Sequence, residues 1–183
     1  MKAKHSCVAV LLLGSLAFTP QLWAVDATTQ PRPSIIMPKA ATAPLVDIAR
    51  AGDRLVTVGE KGHILLSDDG KNWRQVVAPV SRMLTKVFFL NDTTGWAIGY
   101  DAAILKTTDA GETWTLQHFN PDPGWPFYGI YFINESTGWV MGERGTFLRS
   151  DDGGESWNEV ETPVAELGMP VSYTHLRAHE TKP

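Results

Sequence analysis

Apolar residues in this chain come in short bursts separated by turn formers, and the bursts recur. Lys86-Val87-Phe88-Phe89-Leu90, Gly95-Trp96-Ala97-Ile98-Gly99, Ile104-Leu105-Lys106-Thr107 and Thr113-Trp114-Thr115-Leu116 read as four consecutive strands. A second set matches piece by piece: Gly129-Ile130-Tyr131-Phe132, Gly138-Trp139-Val140-Met141-Gly142, Thr146-Phe147-Leu148-Arg149 and Ser156-Trp157-Asn158-Glu159-Val160. An earlier, less regular set runs through Val46-Asp47-Ile48-Ala49, Leu55-Val56-Thr57-Val58-Gly59, His63-Ile64-Leu65-Leu66 and Trp73-Arg74-Gln75-Val76-Val77. The segments are rich in β-branched and aromatic residues, as strands are. No stretch keeps a helical apolar period over 11 residues. The second strand of each set is apolar on both faces, which suits a sheet stacked between two others.

The sets share a closing motif. Ser67-Asp68-Asp69-Gly70-Lys71-Asn72-Trp73, Thr107-Thr108-Asp109-Ala110-Gly111-Glu112-Thr113-Trp114 and Ser150-Asp151-Asp152-Gly153-Gly154-Glu155-Ser156-Trp157 are versions of one box, with tryptophans 41 and then 43 residues apart. A period near that length marks a repeat architecture, and four short strands per period mark a β-propeller blade. The chain is therefore read as all-β, a partial β-propeller of three four-stranded blades at about 45–81, 84–121 and 127–164 within a domain at 44–170. Three blades do not close a ring, since closed propellers typically have about 4–8.

The chemistry of the box is that of a turn. Aspartate accepts hydrogen bonds from backbone N–H groups just ahead of it. Glycine takes a positive φ at little steric cost. A Ser or Thr hydroxyl closes a further local bond, and Trp packs a large apolar surface between layers. Ser67, Asp69, Gly70 and Trp73, then Thr107, Asp109, Gly111 and Trp114, then Ser150, Asp152, Gly154 and Trp157 are thus assigned structural roles. The first box is one residue shorter between Asp and Trp, so its turn is expected to differ. A calcium loop needs about six oxygens at a longer spacing. Metal sites, catalytic residues and cofactors are all expected to be none.

These boxes resemble the Asp-box, or bacterial neuraminidase repeat. The fuller run Gly-Trp-Ala-Ile-Gly (95–99) followed by Ile-Leu-Lys-Thr-Thr-Asp-Ala-Gly-Glu-Thr-Trp (104–114) looks like the photosystem II assembly and stability factor family. That family also has exported relatives in non-photosynthetic bacteria. The resemblance implies a seven-bladed propeller without enzymatic activity. Ala102 departs from the pattern, standing where the other units have Gly62 and Gly145.

The flanks carry other signals. Lys2 and Lys4 precede an apolar run at 8–18, and Leu22-Trp23-Ala24 offers a cleavage site, so 1–24 reads as a secretory signal peptide too short to span a membrane. Cys7, the sole cysteine, falls inside it. The mature chain then has neither a disulfide nor a transmembrane span. Proline-dense 25–43 reads as a linker, in which Ser34-Ile35-Ile36-Met37 either docks as an extra strand or stays solvated. At the other end, the repeat calls for a Gly-Trp pair near position 181, where Thr181-Lys182-Pro183 stands instead. Residues 171–181 look like a translated frame of the adapter used in transposase-based DNA library preparation, so 171–183 is read as a non-native tail. That reading removes His175, His179 and Glu180 as a metal set despite their helical spacing.

Charge changes the picture little. Lys and Arg total 16 against 20 Asp and Glu, a net charge of −4, and 25–170 is more acidic still. No basic run offers itself to nucleic acid. In propellers, partners usually meet the end built from the second-to-third strand turns and the connections between blades. Lys61, Asp101, Arg144, Trp125 and Phe127 fall there and form a possible partner face. Trp125 and Phe127 have the competing role of filling the gap between blades. Two functions follow. The first is a non-catalytic exported scaffold, periplasmic or extracellular in a bacterium, that binds or assembles an envelope protein. The alternative is a sialidase-like glycoside hydrolase with its catalytic residues outside this segment. The arginine cluster and Arg-Ile-Pro motif that such an enzyme needs are absent here.

Overall fold

The computed structural model describes residues 30–161. The signal peptide, the start of the linker, the end of the third repeat and the tail at 171–183 lie outside the described residues. Within them the chain forms three four-stranded antiparallel sheets, each wound in sequence order. The first holds β1 (Leu45–Ala51), β2 (Arg54–Gly59), β3 (Ile64–Ser67) and β4 (Arg74–Val76). The second holds β5 (Leu84–Phe89), β6 (Gly95–Gly99), β7 (Ile104–Thr107) and β8 (Thr115–His118). The third holds β9 (Phe127–Phe132), β10 (Gly138–Gly142), β11 (Phe147–Ser150) and β12 (Asn158–Glu159). The box tryptophans stand just before the fourth strands rather than within them.

Successive side chains of a strand point to opposite faces of its sheet. Alternation therefore assigns each sheet one face per neighbour. Val56, Val58, Ile64 and Leu66 of the first sheet meet Val87, Ala97 and Leu105 of the second in one core. Trp96, Ile98 and Ile104, from the opposite face of the second sheet, meet Ile130, Phe132, Val140 and Leu148 of the third in another. The second sheet is thus covered on both sides, which is why β6 is buried along its whole length. At the centre of the second core Trp96 is fully buried and stacked on Phe132, with ring centroids 3.7 Å apart and planes 10° from parallel.

The boxes belong to these interfaces. A Cβ built on Gly111 would lie 3.1 Å from Leu66 of the preceding sheet, and one on Gly154 would lie 2.6 Å from Nε1 of Trp96. Each of these two boxes therefore packs onto the blade before it. Trp114 is buried, whereas Trp73 and Trp157 are half-buried.

The segment Ser34-Ile35-Ile36-Met37 docks through two side chains and one backbone bond rather than as a ladder strand. Ser34 donates its N–H to the Ala78 carbonyl at 2.8 Å, and its hydroxyl accepts the Ala78 N–H at 2.8 Å. The Gln75 amide accepts from the Met37 N–H at 2.8 Å and donates to the Ile35 carbonyl at 2.9 Å. Ser34 is buried, while Ile35 and Ile36 stay exposed.

A candidate protein-binding face

An up-and-down meander sorts its connections to two ends. The hairpins joining first to second strands share one end with the boxes. The turns joining second to third strands share the other end with the links between blades. The two ends differ in chemistry.

At the box end, three buried hydroxyls organise three turns. Ser67, Thr107 and Ser150 accept the N–H of Gly70, Gly111 and Gly154 at 2.9, 3.0 and 2.8 Å. They donate to Asp69, Asp109 and Asp152 at 3.1, 2.8 and 2.8 Å. Asp69 also accepts the N–H groups of Lys71 and Asn72 and the Asn72 side-chain amide. Asp109 and Asp152 accept both the N–H and the hydroxyl of Thr113 and Ser156. Trp114 and Trp157 close their turns by donating Nε1–H to Gly111 and Gly154 carbonyls at 2.9 and 3.2 Å. In the shorter first box the Asn72 amide makes the additional bond.

These bonds favour the ionised carboxylate. The Asn72 and Lys71 N–H groups hold Asp69 well below the ordinary carboxylate range, and the Ser156 hydroxyl and N–H do the same for Asp152. Burial pushes Asp109 up, but the bonds from Thr113 and Thr107 outweigh it and leave it lowered. At the opposite end of the first sheet, burial and then the charge of Lys61 lower His63, whose two ring nitrogens have no hydrogen-bond partner among the described residues.

All these groups bind protons more weakly folded than unfolded, so acid favours unfolding. Stability should therefore begin to fall below about pH 6.5, the unfolded histidine value, and fall more steeply below about pH 4, the unfolded aspartate value. Urea midpoints measured across pH check this. Asp152→Asn should flatten only the lower limb. A midpoint that rises on acidification would contradict both limbs.

At the loop end, Lys61, Asp101 and Arg144 occupy equivalent tips, each with a left-handed backbone at φ 56, 57 and 56°. Lys61 and Arg144 are exposed, whereas Asp101 is more shielded and pairs with Arg82. The link from second to third blade lies across this end. The Asp101 carbonyl accepts the Asn120 N–H at 2.8 Å, and Ala102 donates its own to the Trp125 carbonyl at 3.1 Å. Trp125 is 39% exposed, with the Arg144 guanidinium 5.3 Å from its ring centre. Phe127, two residues on, is buried in the second core and braces the face from within.

Sequence reasoning left out Tyr128. It is exposed, its hydroxyl donates to Glu143 at 2.9 Å, and burial with that carboxylate pushes it up to about 12. Strand alternation beside Phe127 was the signal for it. Tyr100 is exposed at the same end. A groove beside the first inter-blade link is lined by Pro31, Arg32, Val80, Arg82 and Phe119. The face thus combines exposed aromatic rings, guanidinium groups and carboxylates. Among the described residues no helix is long and apolar enough to cross a membrane.

Stacked four-stranded meanders with a loop-built face at one end define a repeat-built β-propeller. Within that class the chain belongs to the family described as photosynthesis system II assembly factor YCF48, whose profile matches residues 65–181. No curated protein matches the chain. Among solved structures it is similar to "YCF48 bound to D1 peptide" at 23% identity and a TM-score of 0.57, covering 68% of this chain and 42% of that one. It is also similar to "YCF48 from Cyanidioschyzon merolae" at 22% identity and a TM-score of 0.56, covering 67% of this chain and 42% of that one. The chain thus spans well under half the length of these structures.

Proposed function

We propose that this chain is part of a non-catalytic propeller that binds a segment of a protein partner at its loop end and so assists assembly of a complex. Membership of an assembly-factor family carries this reading. A solved structure with the same fold is described as bound to a peptide, which supports a polypeptide as the kind of partner. The loop end suits that partner. Trp125 offers a flat apolar surface stiffened by Arg144, and aromatic and arginine residues are the side chains that most often anchor protein interfaces. The signal-like start at 1–24 supports a partner among exported or envelope proteins of a bacterium.

Pull-down with the 183-residue chain from a bacterial envelope extract tests the reading. The wild-type chain should enrich an envelope protein over an unrelated propeller. Trp125→Ala combined with Arg144→Glu should reduce that capture by about tenfold or more, the scale of a central anchor. Equal capture by wild type and the double variant would remove the loop end from the partner site. No enrichment over the control propeller would remove the binding function itself.

A further inference from the structure

The two junctions between blades carry a shared electrostatic mark. Counting back from each box tryptophan, the second residue is Glu112 in the second blade and Glu155 in the third. Both reach across to a cation on the blade before. Glu112 pairs with Arg54 at 2.7 Å and with Arg74. Glu155 pairs with Lys106 at 2.7 Å, and Lys106 lies 5.9 Å from the centre of the Trp96 ring. The cation comes from different strand positions at the two junctions, but the sign is the same. The following blade supplies the acid, and the preceding blade supplies the base.

The third blade repeats the receiving half of this arrangement on its far face. Arg149 pairs with Trp139 across β10 and β11, as Lys106 pairs with Trp96 across β6 and β7. Its guanidinium lies 5.7 Å from the centre of the Trp139 ring. Asp151 holds its Nη2 edge at 2.6 Å. Met141 stands exposed two residues from Trp139. The first blade breaks the donating half. Its box has Lys71 at the position of Glu112 and Glu155.

We propose that the far face of the third blade receives a further box-bearing blade with a carboxylate two residues before its tryptophan, and that Lys71 makes the first blade of a second copy the wrong occupant. Head-to-tail stacking of two copies would set Lys71 against Arg149, where the internal junctions set an acid against a base. Like charges brought together at an interface select against the wrong partner. The junction charges therefore specify the order of blades and oppose head-to-tail self-association.

Lys71→Glu tests this, because it turns the first blade into the proposed kind of occupant. Sedimentation velocity on the 183-residue chain should show self-association at least about tenfold tighter for Lys71→Glu than for wild type at low salt. The gain should fade in about 0.5 M salt, as screening requires. Arg149→Glu added to Lys71→Glu should abolish it. Arg149→Glu alone should restore association with the charges exchanged. Lys71→Gln, which removes the repulsion without adding an attraction, should fall between wild type and Lys71→Glu. Both positions are exposed, so circular dichroism should show unchanged folding. Association of Lys71→Glu no tighter than wild type overturns the proposal. So does a gain that survives addition of Arg149→Glu.

Discussion

Replacing Trp96 with alanine is expected to cost about 3–5 kcal/mol of stability, the range for removing a large aromatic side chain from a packed core. Trp96 has no exposed surface and lies face to face with Phe132 of the next blade. Its removal opens a cavity at an interface between sheets, where neither side can collapse without disturbing its own strand register. Trp96→Phe should cost well under half as much. The Trp96 Nε1–H has no partner among the described residues, so the smaller ring forfeits area but no hydrogen bond. Equilibrium urea unfolding of the 183-residue chain measures both. A loss below about 1 kcal/mol for the alanine variant would mean that the second and third blades are not held by this stack.

Gly62→Ala should cost about 3 kcal/mol, far more than one methyl group suggests. Gly62 has φ +70°, and a Cβ there would sit 2.0 Å from the Val80 carbonyl oxygen. The left-handed conformation alone costs about 1–2 kcal/mol for an alanine. Moving the backbone of the inter-blade link out of the way adds about 1–3 kcal/mol. The second blade provides an internal control. Ala102 occupies the same turn position with φ 52°, yet it is accommodated and hydrogen-bonded to the Trp125 carbonyl. The link after the second blade is longer and stands off far enough to admit a methyl group. Thermal or urea unfolding should therefore show a large loss at position 62 and only a small change for Ala102→Gly. Equal and small effects at both positions would show that the first link yields readily.

Repeat period, strand sets and blade order were legible because each rests on local pattern. Alternation marks strands, and a box that recurs marks the unit. The Gly-to-Ala departure at position 102 was legible as well, although its remedy was not, since that lies in where the Asn120-to-Trp125 link runs. The three box tryptophans read alike in sequence, but they differ in space. Trp114 is buried in the first core, whereas Trp73 and Trp157 are half-buried, although the third box also rests on the blade before it. Trp125 and Phe127 read as a pair, yet the strand begins at Phe127, so alternation fixes one and says nothing of the other. Docking of 34–37 was weighed as an extra strand, but its actual mode was not legible, for a different reason. Its bonds come from the Gln75 side chain and from the Ser34 hydroxyl and backbone N–H, which leave no apolar period behind. The junction charges were visible as letters, but only the stacking of sheets makes Glu155 a neighbour of Lys106.

The crossing of Ser34 to Met37 over the first sheet has a bearing on behaviour outside the cell's control. β4 is the last strand of its sheet, and a bare last strand invites pairing with extended segments of other molecules. Here the Gln75 amide is already engaged with Ile35 and Met37, and the backbone of Ala78 with Ser34. The proline-dense segment therefore works as a guard rail. It occupies the margin that an aggregating strand would use, and its own prolines keep it from becoming the next margin in turn.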